Sequence, residues 1–301
     1  MKRLRTKAPT KAERRAQLWW GMQPVVSKTT WSVVVWTLFI LFVLGPLLTV
    51  VAFSFTSSVF VGVRPTTLHW YARLFSEPAL YFPLLRSFEV AILVVIVQLV
   101  LGTLVAFATV RRRIVGAQWL DAMSNLTIAL PSVVIGLALL SFYGPFGPIH
   151  ALADMMFSRP TTLTFTVAIV VLAHVLETFP YMVRTVSAVL QQLPPNLEPA
   201  ARSLGASRFT VFRTITFPHL KPALVAGSVL VFSRSIAEFG ATIVVVSAVL
   251  RTAPIKIYSE AEAGSLELAA AYSVVLMLVS LLVYVTLRSR LRKTLQGIGI
   301  G

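Results

Sequence analysis

Six apolar stretches, each of about 20 residues or more, constrain this chain more than any other feature. A hydrocarbon layer about 30 Å thick is crossed by roughly 20 apolar residues in a helix, so each stretch can span a membrane. They run from about Trp31 to Phe53, Phe88 to Val110, Met123 to Tyr143, Leu163 to Met182, Ala223 to Leu250 and Leu268 to Leu287. The third to fifth are interrupted by Pro131 and Pro180 and by charges at Glu177, Arg234 and Glu238. A water-soluble domain built from such helices would have almost no polar surface. Only 13% of the 301 residues are charged, half the average share of about 25%. The first stretch follows a 30-residue basic arm and is too long for a signal-peptide core, so it is expected to be retained as a span.

The basic residues are distributed unevenly between the two sides of such a bundle. Twenty of the 27 fall in residues 1–30, in Arg111 to Arg113, in the linker between the fourth and fifth stretches, and in the tail from Arg288. The alternate loops hold six: Arg64, Arg73, Arg86, Arg159, Arg251 and Lys256. Excess Lys and Arg mark the cytoplasmic side, which places both termini in the cytoplasm. The net charge of +16 therefore reads as a topology signal with attraction to anionic lipid headgroups, not as a nucleic-acid surface. The absence of cysteine excludes disulfides, thiolate metal sites and cysteine nucleophiles. His69, His150, His174 and His219 lack metal-ligand spacing, and no catalytic triad or carboxylate pair stands out. No metal site and no chemistry on a substrate are expected.

The most informative segment is the linker QQLPPNLEPAARSLGASRFTVFRTITFPHLKPALVAG. Pro194 and Pro195 end the preceding helix. Asn196 is a suitable N-cap for a short helix over about Leu197–Leu204, stopped at Gly205 in a left-handed C-terminal position. Ser207 caps a second short helix with Phe209, Phe212 and Ile215 on its apolar side, and Pro218 ends it. Two short helices joined by a glycine turn have too little core to stand alone. Their exposed phenylalanines point to a partner surface.

This linker resembles the cytoplasmic coupling loop of permease subunits of binding-protein-dependent ABC importers, whose pattern is E-A-A, three residues, G, nine residues, I-x-L-P. Gly205 takes the glycine, Ala200 and Ala201 the alanines, Ile215 the isoleucine and Pro218 the proline. Two positions depart: Pro199 stands where the glutamate is expected, with Glu198 one place earlier, and Phe217 replaces the leucine. Residues 66–90 resemble the external amphipathic segment and second-span entry of the same permeases, so the likeness covers about 30–290. It implies an all-α integral membrane protein with the six-span type I ABC importer permease (MetI-like) fold. The domains would be a basic arm (1–30), a permease domain (31–287) with a coupling loop at 194–222, and a basic tail (288–301). It further implies a second permease subunit, identical or paralogous, two ATPase subunits and an extracytoplasmic solute-binding protein, with Ala200, Ala201 and Gly205 closely packed in an ATPase cleft. No G-x-x-x-x-G-K-[ST] sequence is present, so ATP and Mg²⁺ would be bound by the partner ATPase and not by this chain.

Ionisable residues inside spans usually face an interior or a partner. Arg234 and Glu238 are four apart, so on one continuous helix they share a face and can pair. The surrounding SRSIAEFGATIVVV resembles the fifth span of sulfate and molybdate permeases, next to the translocation pathway, which makes the two residues a candidate gate or pathway element. Glu177 is a weaker candidate, read as a polar helix end. Pro131, Ser132 and Gly136 suggest a kinked third span with a close helix contact. The substrate implied is an oxyanion: sulfate, thiosulfate, molybdate or a phosphonate. Iron(III) and polyamine permeases share the architecture, and a gradient-driven secondary transporter is a further alternative that leaves the Gly205 turn unexplained.

Overall fold

A computed structural model describes residues 11, 28–57, 66–111, 115–157, 166–246 and 250–297. Most of the basic arm, including Lys2, Arg3, Arg5, Lys7, Arg14 and Arg15, lies outside the described residues, as do Arg64, Arg112, Arg113 and Arg159. The chain divides into two compact units, residues 1–52 and 53–301.

The first unit is built around α1 (Lys28–Phe39), a π turn (Ile40–Leu44) and α2 (Gly45–Ser54). The π turn explains how a helix continues through Pro46. A proline ring collides with the carbonyl four residues back. Here Gly45 N–H already bonds five residues back, to the Ile40 carbonyl, and the widened turn leaves room.

The second unit comprises α3 (His69–Ser76), α4 (Pro78–Val110), α5 (Ala117–Ala129), α6 (Ser132–Tyr143), α7 (Pro148–Phe157), α8 (Val167–Gln192), α9 (Leu197–Ser203) and α10 (Arg208–Val211). After a π turn (Phe212–Thr216) follow α11 (Phe217–Ile236), α12 (Gly240–Val245), α13 (Ala253–Glu262) and α14 (Leu266–Gly297). Helix α8 is the hub, packed against α4, α5, α6, α11 and α12. Its Ile169, Ala173, Met182, Val186 and Leu190 form one core with Val90 and Val94 of α4, Leu139 of α6, Val231 of α11 and Val245 of α12. A second core joins Leu74, Leu80 and Leu84 to Ala253, Leu268 and Tyr272. Outward-facing Leu93, Ile96, Leu104, Leu278 and Leu282 are exposed, as hydrocarbon-facing side chains are.

Glycines set how closely these helices approach. A Cβ on Gly102 of α4 would lie 2.7 Å from Met182 Cγ, and one on Gly227 of α11 would lie 2.7 Å from Met182 Sδ. The Met182 side chain therefore fills notches in both neighbours. Gly136 of α6 plays the same part against α12, where a Cβ would lie 2.6 Å from the Ala241 carbonyl oxygen. The close contact expected at Gly136 is present.

Six segments are long and apolar enough to cross a membrane: Thr29–Ser54, Pro78–Val110, Ser132–Leu152, Val167–Gln192, Arg208–Ile236 and Leu266–Thr286. Their number matches the sequence reading; several boundaries do not. The expected third span over Met123–Tyr143 is two helices, because Leu130 and Pro131 are extended and α6 starts afresh at Ser132. The fifth does not run to Leu250: α11 stops at Ile236, α12 ends at Val245, and 247–249 lie outside the described residues. Pro180 does not interrupt α8. Buried Gln98 of α4 donates to the Val175 carbonyl (2.7 Å) and Thr178 Oγ1 (3.0 Å), tying α4 to α8 beside the proline. Helix α14 continues through 288–297, where a separate tail was expected.

Replacing Gly136 by valine forces α6 and α12 apart against backbone atoms that cannot rotate away. We expect a stability loss of about 1–3 kcal/mol, the range for overpacked cores, visible as a lower melting temperature of the detergent-solubilised protein.

Candidate functional site: the Gly205 knuckle and the polar cluster of the bundle

The linker after α8 folds into a helix–turn–helix knuckle. Gly205 adopts φ +88°. Its N–H donates to the Arg202 carbonyl (3.0 Å) and Ala206 N–H to the Ala201 carbonyl (3.2 Å). This is the Schellman pair of bonds, in which a left-handed residue turns the chain back over the helix end. Ser207 Oγ accepts from Thr210 N–H at 3.1 Å and starts α10 as expected. Asn196 occupies the N-cap position of α9, but its side chain makes no capping bond.

Pro218 does not end the second helix. Phe217 N–H bonds five residues back, to the Phe212 carbonyl, and the chain runs on from α10 through the π turn into α11. This repeats the device before Pro46. The knuckle is thereby the rigid lower end of a membrane-length helix.

Its base is fastened to the bundle by charge. Glu198 Oε1 accepts from Thr216 Oγ1 at 3.0 Å and lies 3.6 Å from Arg111 Nε. Arg111, at the end of α4, also donates to the Leu193 carbonyl (3.2 Å). Glu198 thus faces inward and fixes α9, while the surface of the knuckle is offered elsewhere. Ala200, Gly205 and Pro218 are exposed, and Ala201 and Ile215 are half-buried. The apex is apolar: Leu204 is 90% exposed and Phe209 72%. Phe212 packs instead on Phe107 and Phe217. The sequence reading missed Leu204, whose exposure follows from its C-cap position beside the Gly205 turn, and Arg111, which it counted only as a topology charge.

The second site is a chain of polar groups between α8, α11 and α12. The expected Arg234–Glu238 pair does not form. The two share a helical face only if the helix continues, and α11 ends at Ile236. Arg234 Nη2 instead donates to Glu177 Oε1 at 2.5 Å, with the Glu177 side chain 6% exposed and that of Arg234 50%. Glu177 is therefore an interior carboxyl group, not a polar helix end. Glu238 turns to the restart of the helix. It accepts from Ala241 N–H (2.7 Å) and Thr242 N–H (3.0 Å), and from the Thr242 hydroxyl. In a span, backbone groups freed by a break must be satisfied internally, and this carboxylate satisfies two of them.

His174 completes the cluster, with Nδ1 2.8 Å from Ser235 Oγ, Nε2 2.8 Å from Thr242 Oγ1 and 3.5 Å from Glu238 Oε2. Sequence reasoning passed over His174 because its partners lie 61 and 68 residues away. Among the described residues no group of three or more His, Asp or Glu could hold a metal ion.

Six helices are long and apolar enough to cross a membrane, and the second unit carries a knuckle tipped by Leu204 and Phe209. Residues 98–293 match the family of binding-protein-dependent transport system inner membrane components, and the chain belongs to that family. It is 38% identical over 206 residues to the molybdenum transport system permease protein ModB of Escherichia coli, covering 66% of this chain and 89% of that protein. It is 41% identical over 147 residues to the sulfate transport system permease protein CysT of Salmonella typhimurium, covering 48% of this chain and 51% of that protein. The chain thus spans about half the length of that sulfate permease. Its fold is that of a chain in the crystal structure of a bacterial alginate ABC transporter in complex with alginate pentasaccharide-bound periplasmic protein. The TM-score is 0.73 at 15% identity, over 94% of this chain and 96% of that one. The protein is accordingly a multi-pass inner membrane permease.

Removing one member of the Glu177–Arg234 pair leaves the other uncompensated. Arg234→Gln should lower the melting temperature, because Glu177 is buried without its cation. Adding Glu177→Gln should restore most of the loss. A double variant no more stable than the single one would mean that the pair does not set stability here.

Proposed function

We propose that this chain is the membrane-spanning half of an ATP-driven importer of small oxyanions, sulfate or molybdate, and that the Gly205 knuckle couples it to a cytoplasmic ATPase. The observation that carries this reading is the exposed pair Leu204 and Phe209 on a turn braced by Glu198, Arg111 and Thr216. Large apolar side chains held on a rigid support are placed to enter a protein cleft. Rigidity matters mechanically, because the knuckle continues without a break into α11, which packs on α4, α8 and α14. A displacement of the knuckle would be carried into the bundle.

The reading includes a second permease subunit, two ATPase subunits that bind ATP and Mg²⁺, and an extracytoplasmic solute-binding protein. The knuckle and both termini would lie in the cytoplasm, as the distribution of basic residues indicates. The matched relatives are named for molybdenum and sulfate, which favours an oxyanion over iron(III) or a polyamine. A gradient-driven mechanism leaves the knuckle without a purpose. In the bundle, the half-exposed Arg234 guanidinium would present positive potential to a passing anion while Glu177 holds it in place. Glu238 would keep the broken helix in register beside it.

Two outcomes test this reading. Sulfate or molybdate uptake by the reconstituted complex should require ATP and persist with a protonophore. Uptake that stops with the protonophore and ignores ATP would contradict it. In the knuckle, Gly205→Val forces a β-branched residue into a left-handed conformation, at a cost of about 1–2 kcal/mol. It should abolish co-purification of the ATPase and transport while the bundle still folds; unchanged transport would remove the knuckle from the mechanism.

A further inference from the structure

The end of the bundle opposite the knuckle carries a cavity of about 700 Å³ between the N-terminal turns of α4 and the start of α13. Arg111 marks the knuckle end of α4, and Arg86 lies 25 residues earlier, roughly 35–40 Å away at the helical rise. The lining includes Arg86, Arg251 and Lys256 against a single carboxylate, Glu89, with Phe82 and Pro83 among its apolar walls. With Glu260 counted as the partner of Lys256, the recess carries a surplus of one positive charge, that of Arg251.

These cations are not equally committed. Arg86 bonds Glu89 at 2.7 Å, and Lys256 bonds Glu260 at 2.5 Å. Arg251 has only a hydroxyl, Ser259 Oγ at 3.3 Å, among the described residues. Apart from Glu13, the segments outside the described residues contain no acidic residue. Next to Arg251, Thr252 is buried, and its hydroxyl has no partner among the described residues. A guanidinium with no carboxylate within ion-pair distance among the described residues, in a recess whose apolar walls lower the local dielectric, is suited to a bidentate bond with a tetrahedral oxyanion.

We propose that this cavity is a reception site for a small divalent oxyanion, with Arg251 as its principal ligand and Arg86 and Lys256 as supporting charges. The inference deepens the oxyanion reading and rests on it. The site would hold the anion at the mouth of the bundle before it enters the span region.

The test uses the full chain in nanodiscs of neutral phosphatidylcholine, titrated calorimetrically with sodium sulfate and sodium molybdate, with sodium chloride as the background. The wild-type protein should bind both oxyanions. Arg251→Gln should raise Kd by about tenfold or more, and Arg251→Lys should fall between the two. Arg184→Gln, which removes a cation bonded to Asn125 away from the cavity lining, should leave Kd unchanged. No binding by the wild-type chain, equal Kd for wild type and Arg251→Gln, or an equal loss in Arg184→Gln would overturn the site. Loss of oxyanion binding when phosphatidylglycerol replaces the neutral lipid would also overturn it, since the cavity would then hold a lipid phosphate. Uptake by the complex is a separate measurement. Binding sensitive to Arg251 without ATP-driven uptake would support the cavity and defeat the transport reading.

Discussion

Inside hydrocarbon every backbone N–H and C=O must find a partner within the protein, and this requirement governs each irregularity in the bundle. The helix broken at Ala237–Phe239 restarts because the Glu238 carboxylate accepts from Ala241 and Thr242 N–H. The chain passes Pro180 without a break, and beside it Gln98 ties α4 to α8 through the Val175 carbonyl. At Pro46 and Pro218 the solution is a π turn one residue earlier, which moves the hydrogen bond to the fifth carbonyl back. These local solutions leave the long helices free to pack by shape, with Met182 set into the notches at Gly102 and Gly227.

The two groups to which function is proposed stand at opposite ends of one continuous element. The stretch from Arg208 to Ile236 begins in the knuckle, crosses the bundle against α8, and ends where Arg234 meets Glu177. A partner pressing on Leu204 and Phe209 would push on the foot of the helix whose other end presents Arg234. The brace at Glu198, Arg111 and Thr216 makes this transmission stiff, because α9 cannot slide without separating a carboxylate from its hydroxyl and its cation.

What the sequence made legible was local. The Gly205 turn and the Ser207 cap depend on residues within a few positions of one another, and both stand where expected. The number of spans was legible because the apolar stretches are long. The missed features depend on distance or on competition. Arg234 has two carboxylates available, one four residues away and one 57 away, and only the end of α11 at Ile236 decides between them. No proline marks that end, so a helix reads on through Ile236 in the sequence. Likewise Pro218 reads as a stop unless the π turn before it is known. His174 entered the cluster through tertiary contacts alone.

The absence of cysteine allows the central claim to be tested at a single atom. With Leu204→Cys in the assembled complex, a short thiol cross-linker should join this chain to the ATPase subunit, and the thiol should be shielded from a water-soluble maleimide in at least one nucleotide state. A thiol that labels freely in every nucleotide state and cross-links to nothing would mean that the knuckle meets only water, and the coupling account would fail.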